Sequence, residues 1–269
     1  MPGRDDDRDF IEAIARGFTV VKAFDAHRPV MTLSEIAAAT ELTRPTVRRI
    51  LLTLESLGYV RSVSKGFALT ARVLELGMTY VQAQGLWEVA RPHMEQLVAR
   101  TNESSSIAQL DGSDIVYVAR VAVPKIITIA VSIGTRFPAQ STSLGKVLLA
   151  GLTKPELDEL LAQPSRAGVS PIWTPDRAEL DAVLRDVRAR GWALTDEALA
   201  PGIRSIAAPL RDHTGRVLAA LNVTVHAAET SVDTLVNDHL PLLLQTAGAI
   251  SADYALYSSM PTSTVTAAS

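Results

Sequence analysis

The chain has 269 residues, 47% hydrophobic and 20% charged, a balance that excludes an intrinsically disordered protein and leaves room for two domains of ordinary size. It has no cysteine, which excludes disulfides, thiolate metal sites and cysteine nucleophiles. The net charge of −3 is uneven: residues 13–72 hold nine Lys/Arg against four Asp/Glu, a surplus of +5, while residues 1–12 carry −3 and residues 73–269 carry −5, so an affinity for nucleic acid would belong to the N-terminal segment.

The opening MPGRDDDRDF is acidic and lacks an apolar core, so it does not read as a secretory signal, and residues 1–8 are expected to fray. No run approaches the roughly 18 apolar residues of a membrane span, and a cytoplasmic protein with no membrane partner is expected. Phe10, Ile11, Ile14, Phe18, Val21 and Phe24 recur at helical spacing, predicting a first helix over about 9–26 that His27-Arg28-Pro29 breaks.

Residues 33–60 read as two short helices joined by a tight turn. Ser34 is the expected N-cap of the first, which ends near Thr40, and Thr43 that of the second, with Pro45 in its first turn. Val47, Ile50, Leu51, Leu54 and Leu57 then face a core, and Gly58 closes the helix. Arg44, Thr46, Arg48 and Arg49 fall on the other side or at the exposed start. Taken alone, such a pair is an ordinary solvated face. Residues 59–63 and 67–69, however, read as strands around a Ser64-Lys65-Gly66 turn, a wing that places Arg61 and Lys65 within reach of phosphates. A helix-turn-helix followed by a wing is built to enter a DNA major groove. Its predicted groove-facing set is Thr43, Arg44, Thr46, Arg48 and Arg49, with Arg61 and Lys65 on the backbone.

Thr70 is placed to cap a linker helix over about 71–84, whose apolar surface includes Val73, Leu74, Leu76, Met78, Tyr80 and Val81 and suits a second copy of the chain. Gly85 ends it, and a helix over 87–101 is kinked or started by Pro92. Strands then follow: 105–110 and 115–121 around an Asp111-Gly112 turn, and 126–133 ending at Gly134. Helices are predicted over 142–152, 155–162 and 176–190, strands over 192–195, 205–210 and 217–225, and a last helix over 232–257 before a low-complexity tail. Helices segregated around a largely antiparallel sheet make an α+β domain.

Ser143-Leu144-Gly145-Lys146 matches the S-x-x-K pattern of serine acylases, but the S-D-N and K-T-G elements that would support it are absent. The same Gly-Lys pair lacks a P-loop's first glycine, since position 140 is Gln140. The five histidines show no HxH or HExxH spacing, so no metal site is expected, and no motif calls for a cofactor. More telling are small polar groups beside apolar strands. Ser141, Thr142 and Ser143 precede a helix whose free N–H groups suit a carboxylate. Arg204 and Ser205 sit where a loop enters a strand, and Asn222 and Thr224 alternate with Leu221 and Val223 and so share one strand face. Together they suggest a pocket for a small anion.

These residues resemble the IclR family of bacterial transcriptional regulators over about 9–257. The likeness is carried by TLSEIAAATELTRPTVRRILLTLESLGYV, FALTARVLELG, RFPAQSTSLGKVLLAGL and GWALTDEALAPGIRSIAAPLRDHTGRVLAALNVTVHA, and within the family it looks closest to regulators of aromatic-acid catabolism through protocatechuate and β-ketoadipate. The resemblance implies a winged helix-turn-helix (9–70), a linker helix (71–86), a GAF-like effector-binding domain with an antiparallel sheet (87–258) and a disordered tail (259–269). It also implies double-stranded operator DNA as partner, homodimers often paired into tetramers, and a small organic acid as effector. The effector contacts it implies are Ser143, Leu144, Thr195 or Asp196, Ile203, Ser205, Asn222 and Thr224; Ser141 and Arg204 join them on chemistry alone, as hydroxyl and guanidinium partners for a carboxylate. Where the family's acidic loop commonly reads D-x-E or D-E-E, this chain has Asp196-Glu197-Ala198. The competing expectations are a serine hydrolase using Ser143 and Lys146, and a DNA-binding protein with no effector.

Overall fold

A computed structural model describes residues 9–25, 27–77, 85–124 and 131–259. The chain forms two compact units, Met1–Ala83 and Gln84–Ser269.

The first unit holds α1 (Glu12–Lys22), β1 (Val30–Met31), α2 (Leu33–Thr40), α3 (Arg44–Ser56), β2 (Val60–Val63) and β3 (Gly66–Leu69). Its core is Val20, Met31, Ile36, Val47, Leu51 and Val60. The cap of α2 is Thr32 rather than Ser34: Thr32 Oγ1 accepts from the Glu35 amide while the Glu35 carboxylate accepts from the Thr32 amide at 2.7 Å. The threonine wins because Glu35 stands three residues after it, completing a reciprocal capping box. Thr43 caps α3 as expected, accepting from the Thr46 amide. Leu57 departs from its expected core position and is 52% exposed, because α3 ends at Ser56 and the chain turns away. The two-residue β1, too short to carry a periodic signal, pairs with β3 in the order β1-β3-β2. Gly66 makes that crossing possible, since a Cβ there would lie 2.3 Å from the Met31 carbonyl oxygen.

The expected linker helix begins as a 3-10 turn, Ala71–Val73, capped by Thr70, and residues 74–77 continue as helix. Met78, Tyr80 and Val81 lie outside the described residues.

The second unit opens on α4 (Leu86–Thr101), with Gly85 as its N-cap and Pro92 inside rather than at its start. Among the described residues six strands follow: β4 (Ser104–Asp111), β5 (Asp114–Val121), β6 (Arg136–Pro138), β7 (Ala193–Asp196), β8 (Ile203–Arg211) and β9 (Val217–His226), in the order β6-β5-β4-β9-β8-β7, every neighbouring pair antiparallel. The strand expected over 126–133 falls mostly outside the described residues; residues 131–133 are not strand, and β6 takes the place beside β5. Between β6 and β7 lie α5 (Ser143–Ala150), α6 (Lys154–Leu161) and α7 (Arg177–Arg190). The last expected helix is divided into a turn (Val232–Thr234), a π-helical run (Leu235–His239) and α8 (Leu240–Ser259). The wide turn falls just before Pro241, whose missing N–H leaves one ladder bond unmade.

One sheet face, with Ile107, Ile206, Leu221 and Val223, packs against α4 and α8. The other, with Ala108, Tyr117, Ala193, Ala207 and Ala220, packs against α5 and α7. Alternation along each strand divides the side chains between these two cores.

Candidate functional site

On the first unit, α3 and the wing carry one chemistry. Arg44, Arg48, Arg49, Arg61 and Lys65 are all exposed, and none has an ion-pair partner among the described residues. Other arginines of this unit are engaged: Arg16 with Glu12 at 3.0 Å, Arg28 with Asp25 at 2.7 Å, Arg72 with Glu75 at 3.3 Å. Arg72 also donates to the Leu57 carbonyl and lies over the Tyr59 ring, so it tethers the C-terminal end of α3. Arg44 and Arg48, four residues apart, share one helix face. Thr43 and Thr46 hydrogen-bond each other at 2.9 Å within the cap, which holds the head of the helix in shape. Lys65 occupies the tip of the two-residue turn between the paired Val63 and Gly66, and the Glu55 carboxylate accepts from the Ser62 amide, fastening the wing to α3.

The second unit has a small cleft between the α5 N-terminus and the sheet face beneath it. Strand register lays two polar rows across that face. One runs Arg120–Ser106–Asn222 from β5 through β4 to β9; the next runs Ser104–Thr224–Ser205–Thr195 from β4 to β7. Alanines 108, 220, 207 and 193 continue the same face toward the core, and their small side chains admit α5. Thr142 caps α5 by accepting from the Gly145 amide at 3.0 Å. Gly145 answers to close approach, since a Cβ there would lie 1.9 Å from the Ala139 carbonyl oxygen.

Within the cleft, Ser205 Oγ bonds to Ser143 Oγ at 2.7 Å and to Thr195 Oγ1 at 2.8 Å, a buried trio of hydroxyls. Asn222 Oδ1 accepts from the Ser106 amide at 2.9 Å, and its Nδ2 donates to Thr224 Oγ1 at 2.9 Å. Arg120 donates to Ser106 Oγ at 3.0 Å. Burial lowers the Arg120 pKa below its ordinary value, and burial raises that of neighbouring Tyr117 to about 12, with Arg120 acting weakly the other way. The cavity is about 70 Å³. At roughly 10–15 Å³ of such space per water it has room for about five waters, the size of a small molecule.

Of the residues expected at the effector site, Ser143, Leu144, Thr195, Ile203, Ser205, Asn222 and Thr224 line this cleft. Ser141, Asp196 and Arg204 do not. Ser141 Oγ donates instead to the Trp173 carbonyl at 2.9 Å. Arg204 and Asp196 form an ion pair, and Arg204 also donates to the Ala227 and Thr230 carbonyls at 3.0 Å. Alternation explains both, since each adjoins a residue, Ser205 or Thr195, that faces the cleft. Among the residues missed are Glu103, Tyr117, Arg120, Phe137 and His226. Arg120 was hidden by a register shift between Ile107 and Ala108: Ala108 pairs with Tyr117 but Ile107 with Ala119, so one extra residue on β5 brings Tyr117 and Arg120 to the same face. Lys146 is not within the cleft. Its Nζ lies 4.9 Å from the Trp173 ring centre, and burial, aided by Arg190, lowers its pKa to about 8. Ser143 is thus bonded to a serine, and the S-x-x-K pair lacks the nucleophile–base contact that acyl chemistry requires. Among the described residues there is no cluster of metal-ligating groups, and no helix is long and apolar enough to cross a membrane.

Residues 13–64 match the IclR helix-turn-helix domain, and residues 78–252 match the bacterial transcriptional regulator IclR C-terminal domain. The Pca regulon regulatory protein of Pseudomonas putida is 38% identical over 88% of this chain and 82% of its own length. The p-hydroxybenzoate hydroxylase transcriptional activator of Acinetobacter baylyi is 32% identical over 89% of this chain and 90% of its own. Among solved structures, a protein of Rhodococcus sp. RHA1 described as a transcriptional regulator is 46% identical, covers 92% of this chain and 100% of its own, and superposes with a TM-score of 0.79. An IclR homolog from Microbacterium hydrocarbonoxydans, solved with 4-hydroxybenzoate, shares the fold at 23% identity, with a TM-score of 0.76 over 90% of this chain and 98% of its own.

Proposed function

We propose that this chain, which belongs to the IclR family of bacterial transcriptional regulators, controls its operator in response to a small aromatic acid held in the cleft of its second unit. That it is a DNA-binding regulator and not an enzyme follows from the family. The observation that carries the effector reading is the buried Ser143–Ser205–Thr195 trio, set beside a helix N-terminus and two rows of polar side chains. Such a wall would recognise a small molecule bearing both an anionic and a hydroxyl group. The name of the Acinetobacter activator supports the aromatic class, since it refers to p-hydroxybenzoate hydroxylase.

In this reading Arg44, Arg48 and Arg49 meet guanine edges or phosphates, Thr43 and Thr46 shape the helix head, and Arg61 and Lys65 meet the backbone beside the groove. A homodimer, or a pair of dimers, is the assembly we assign. It is supported by Phe10, Ile14 and Phe18, 54%, 56% and 52% exposed at helical spacing and in want of a cover.

The test is fluorescence anisotropy on DNA from upstream of the gene, across a salt series, with protocatechuate, 4-hydroxybenzoate and β-ketoadipate added in turn. Tight, salt-steep binding altered by one of the aromatic acids is the expected result. Tight binding indifferent to all three would leave a regulator but remove this effector class.

A further inference from the structure

We propose that Arg120 reads the carboxylate of the effector while the Ser143–Ser205–Thr195 trio reads a hydroxyl at its far end, so that the cleft selects a hydroxylated monocarboxylate over a dicarboxylate. This rests on the cleft being the effector site.

Arg120 is half-buried, yet the only partner it has among the described residues is the neutral hydroxyl of Ser106 at 3.0 Å. A guanidinium carries five N–H donors in a planar fork matched to a carboxylate, so most of its capacity is left for solvent or ligand. Arg204, by contrast, already has the Asp196 carboxylate and two carbonyls. Removing a cation from water without a counter-charge is unfavourable, and an arriving anion relieves that penalty. Desolvation is also what lowers the pKa of Arg120. The one acidic side chain on the described wall, Glu103, precedes β4 and has an interaction of its own.

Among the described residues the opposite end is lined by no lysine or arginine, and His226 stands one row beyond it. Ser143, Ser205 and Thr195 are neutral groups that both donate and accept, suited to a hydroxyl and poorly suited to a second full charge. A carboxylate there would have to draw on the partial charge of the α5 N-terminus alone, about half a unit. Ser106, which anchors Arg120, and Ser205 stand two strands apart through β9 and one row offset along it, about 12 Å at the usual strand spacing and rise. An aromatic ring with a polar group at each end can bridge that span through a hydrogen bond at either side.

The test is isothermal titration of the full-length chain with 4-hydroxybenzoate, its neutral isostere 4-hydroxybenzamide, and β-ketoadipate. It is run on the wild type, Arg120→Met and Arg120→Lys, with thermal melts to verify folding. The wild type should prefer the acid to the amide and to β-ketoadipate. Arg120→Met should weaken acid binding about 10–100-fold and leave the amide unchanged, and Arg120→Lys should fall between. If Arg120→Met keeps the acid-to-amide ratio, or loses both ligands equally, Arg120 is not the reader and the proposal falls. Should the wild type bind no aromatic acid, the aromatic reading fails by itself, and the same variants are compared on aliphatic hydroxy acids and their amides. A collapsed acid-to-amide ratio in Arg120→Met would then uphold Arg120, and a retained ratio, or no binding at all, would overturn it.

Discussion

On α3 and the wing, five cationic side chains stand in solvent with no acidic partner among the described residues. In the cleft of the second unit most functional groups are uncharged, buried and bonded to another like themselves, with Arg120 and Glu103 the charged exceptions. On the proposed function the difference follows from what each binds. A phosphate backbone presents many charges at a water-filled surface, where unpaired arginines and lysines gain by releasing its counterions. A small acid gives up its hydration, so the receiving wall must supply shaped hydrogen bonds in their place. Arginines such as Arg28 and Arg204 show the alternative, a cation settled on a neighbouring carboxylate and unavailable to any partner.

The strongest way to break this comparison is to remove the exposed charge. Replacing Arg44, Arg48 and Arg49 together by alanine should weaken operator binding at least about 100-fold, at ~1–3 kcal/mol for each base-reading arginine, and flatten the salt dependence by up to about 3 in log–log slope. Calorimetric effector affinity should not change. An unaltered salt slope would take these arginines off the DNA.

Next in size is a change that deforms the cleft and leaves its chemistry in place. Gly145→Ala would set a Cβ against the Ala139 backbone, moving either α5 or the 3-10 turn Ala139–Ser141 that precedes it. We expect a loss of about 3 kcal/mol from the second unit, at the upper end for overpacking, together with loss of effector binding. An undiminished melting temperature would show that α5 can shift, and the cleft would then be less rigidly formed than its hydroxyl trio implies.

The same contrast governs how much could be read from the sequence. The proposed DNA-facing surface is local: a capping threonine, apolar residues at helical spacing and arginines between them all lie within 28 residues, and the helix pair was legible from these. The errors there were small and also local, Ser34 in place of Thr32 and Leu57 assigned to the core. In the second unit, alternation on one strand sufficed to group Asn222 with Thr224. It did not reveal that Ser106 stands opposite Asn222, because that pairing joins residues 116 apart in the chain. Arg120 was illegible for a sharper reason: a bulge breaks the two-residue period, so counting from Tyr117 sends it to the wrong face. Strict alternation would also have excluded Arg204, which was chosen for its charge; Trp173 lies in a loop without periodicity and left no signal.

The smallest effect concerns a buried cation that neither region uses. Lys146 is 6% exposed, directed at the Trp173 ring, and burial lowers its pKa to about 8 from an ordinary 10.5. Between those values the unfolded chain binds the proton more tightly than the folded one, so stability should rise with pH; below about 8 the penalty is fully present. Tyr117 acts in the opposite sense once the pH passes 10, since its folded pKa is raised to about 12, and the useful window therefore ends there. Lys146→Met keeps the apolar stem and removes the titration. Chemical denaturation of both proteins from pH 7 to 10 should show the wild type gaining of order 1 kcal/mol on the variant. A constant difference across that range would mean that Trp173 and residual solvent hold the ammonium as well as water does. The second unit would then tolerate a lone buried cation, and Arg120 would need no anion to explain it.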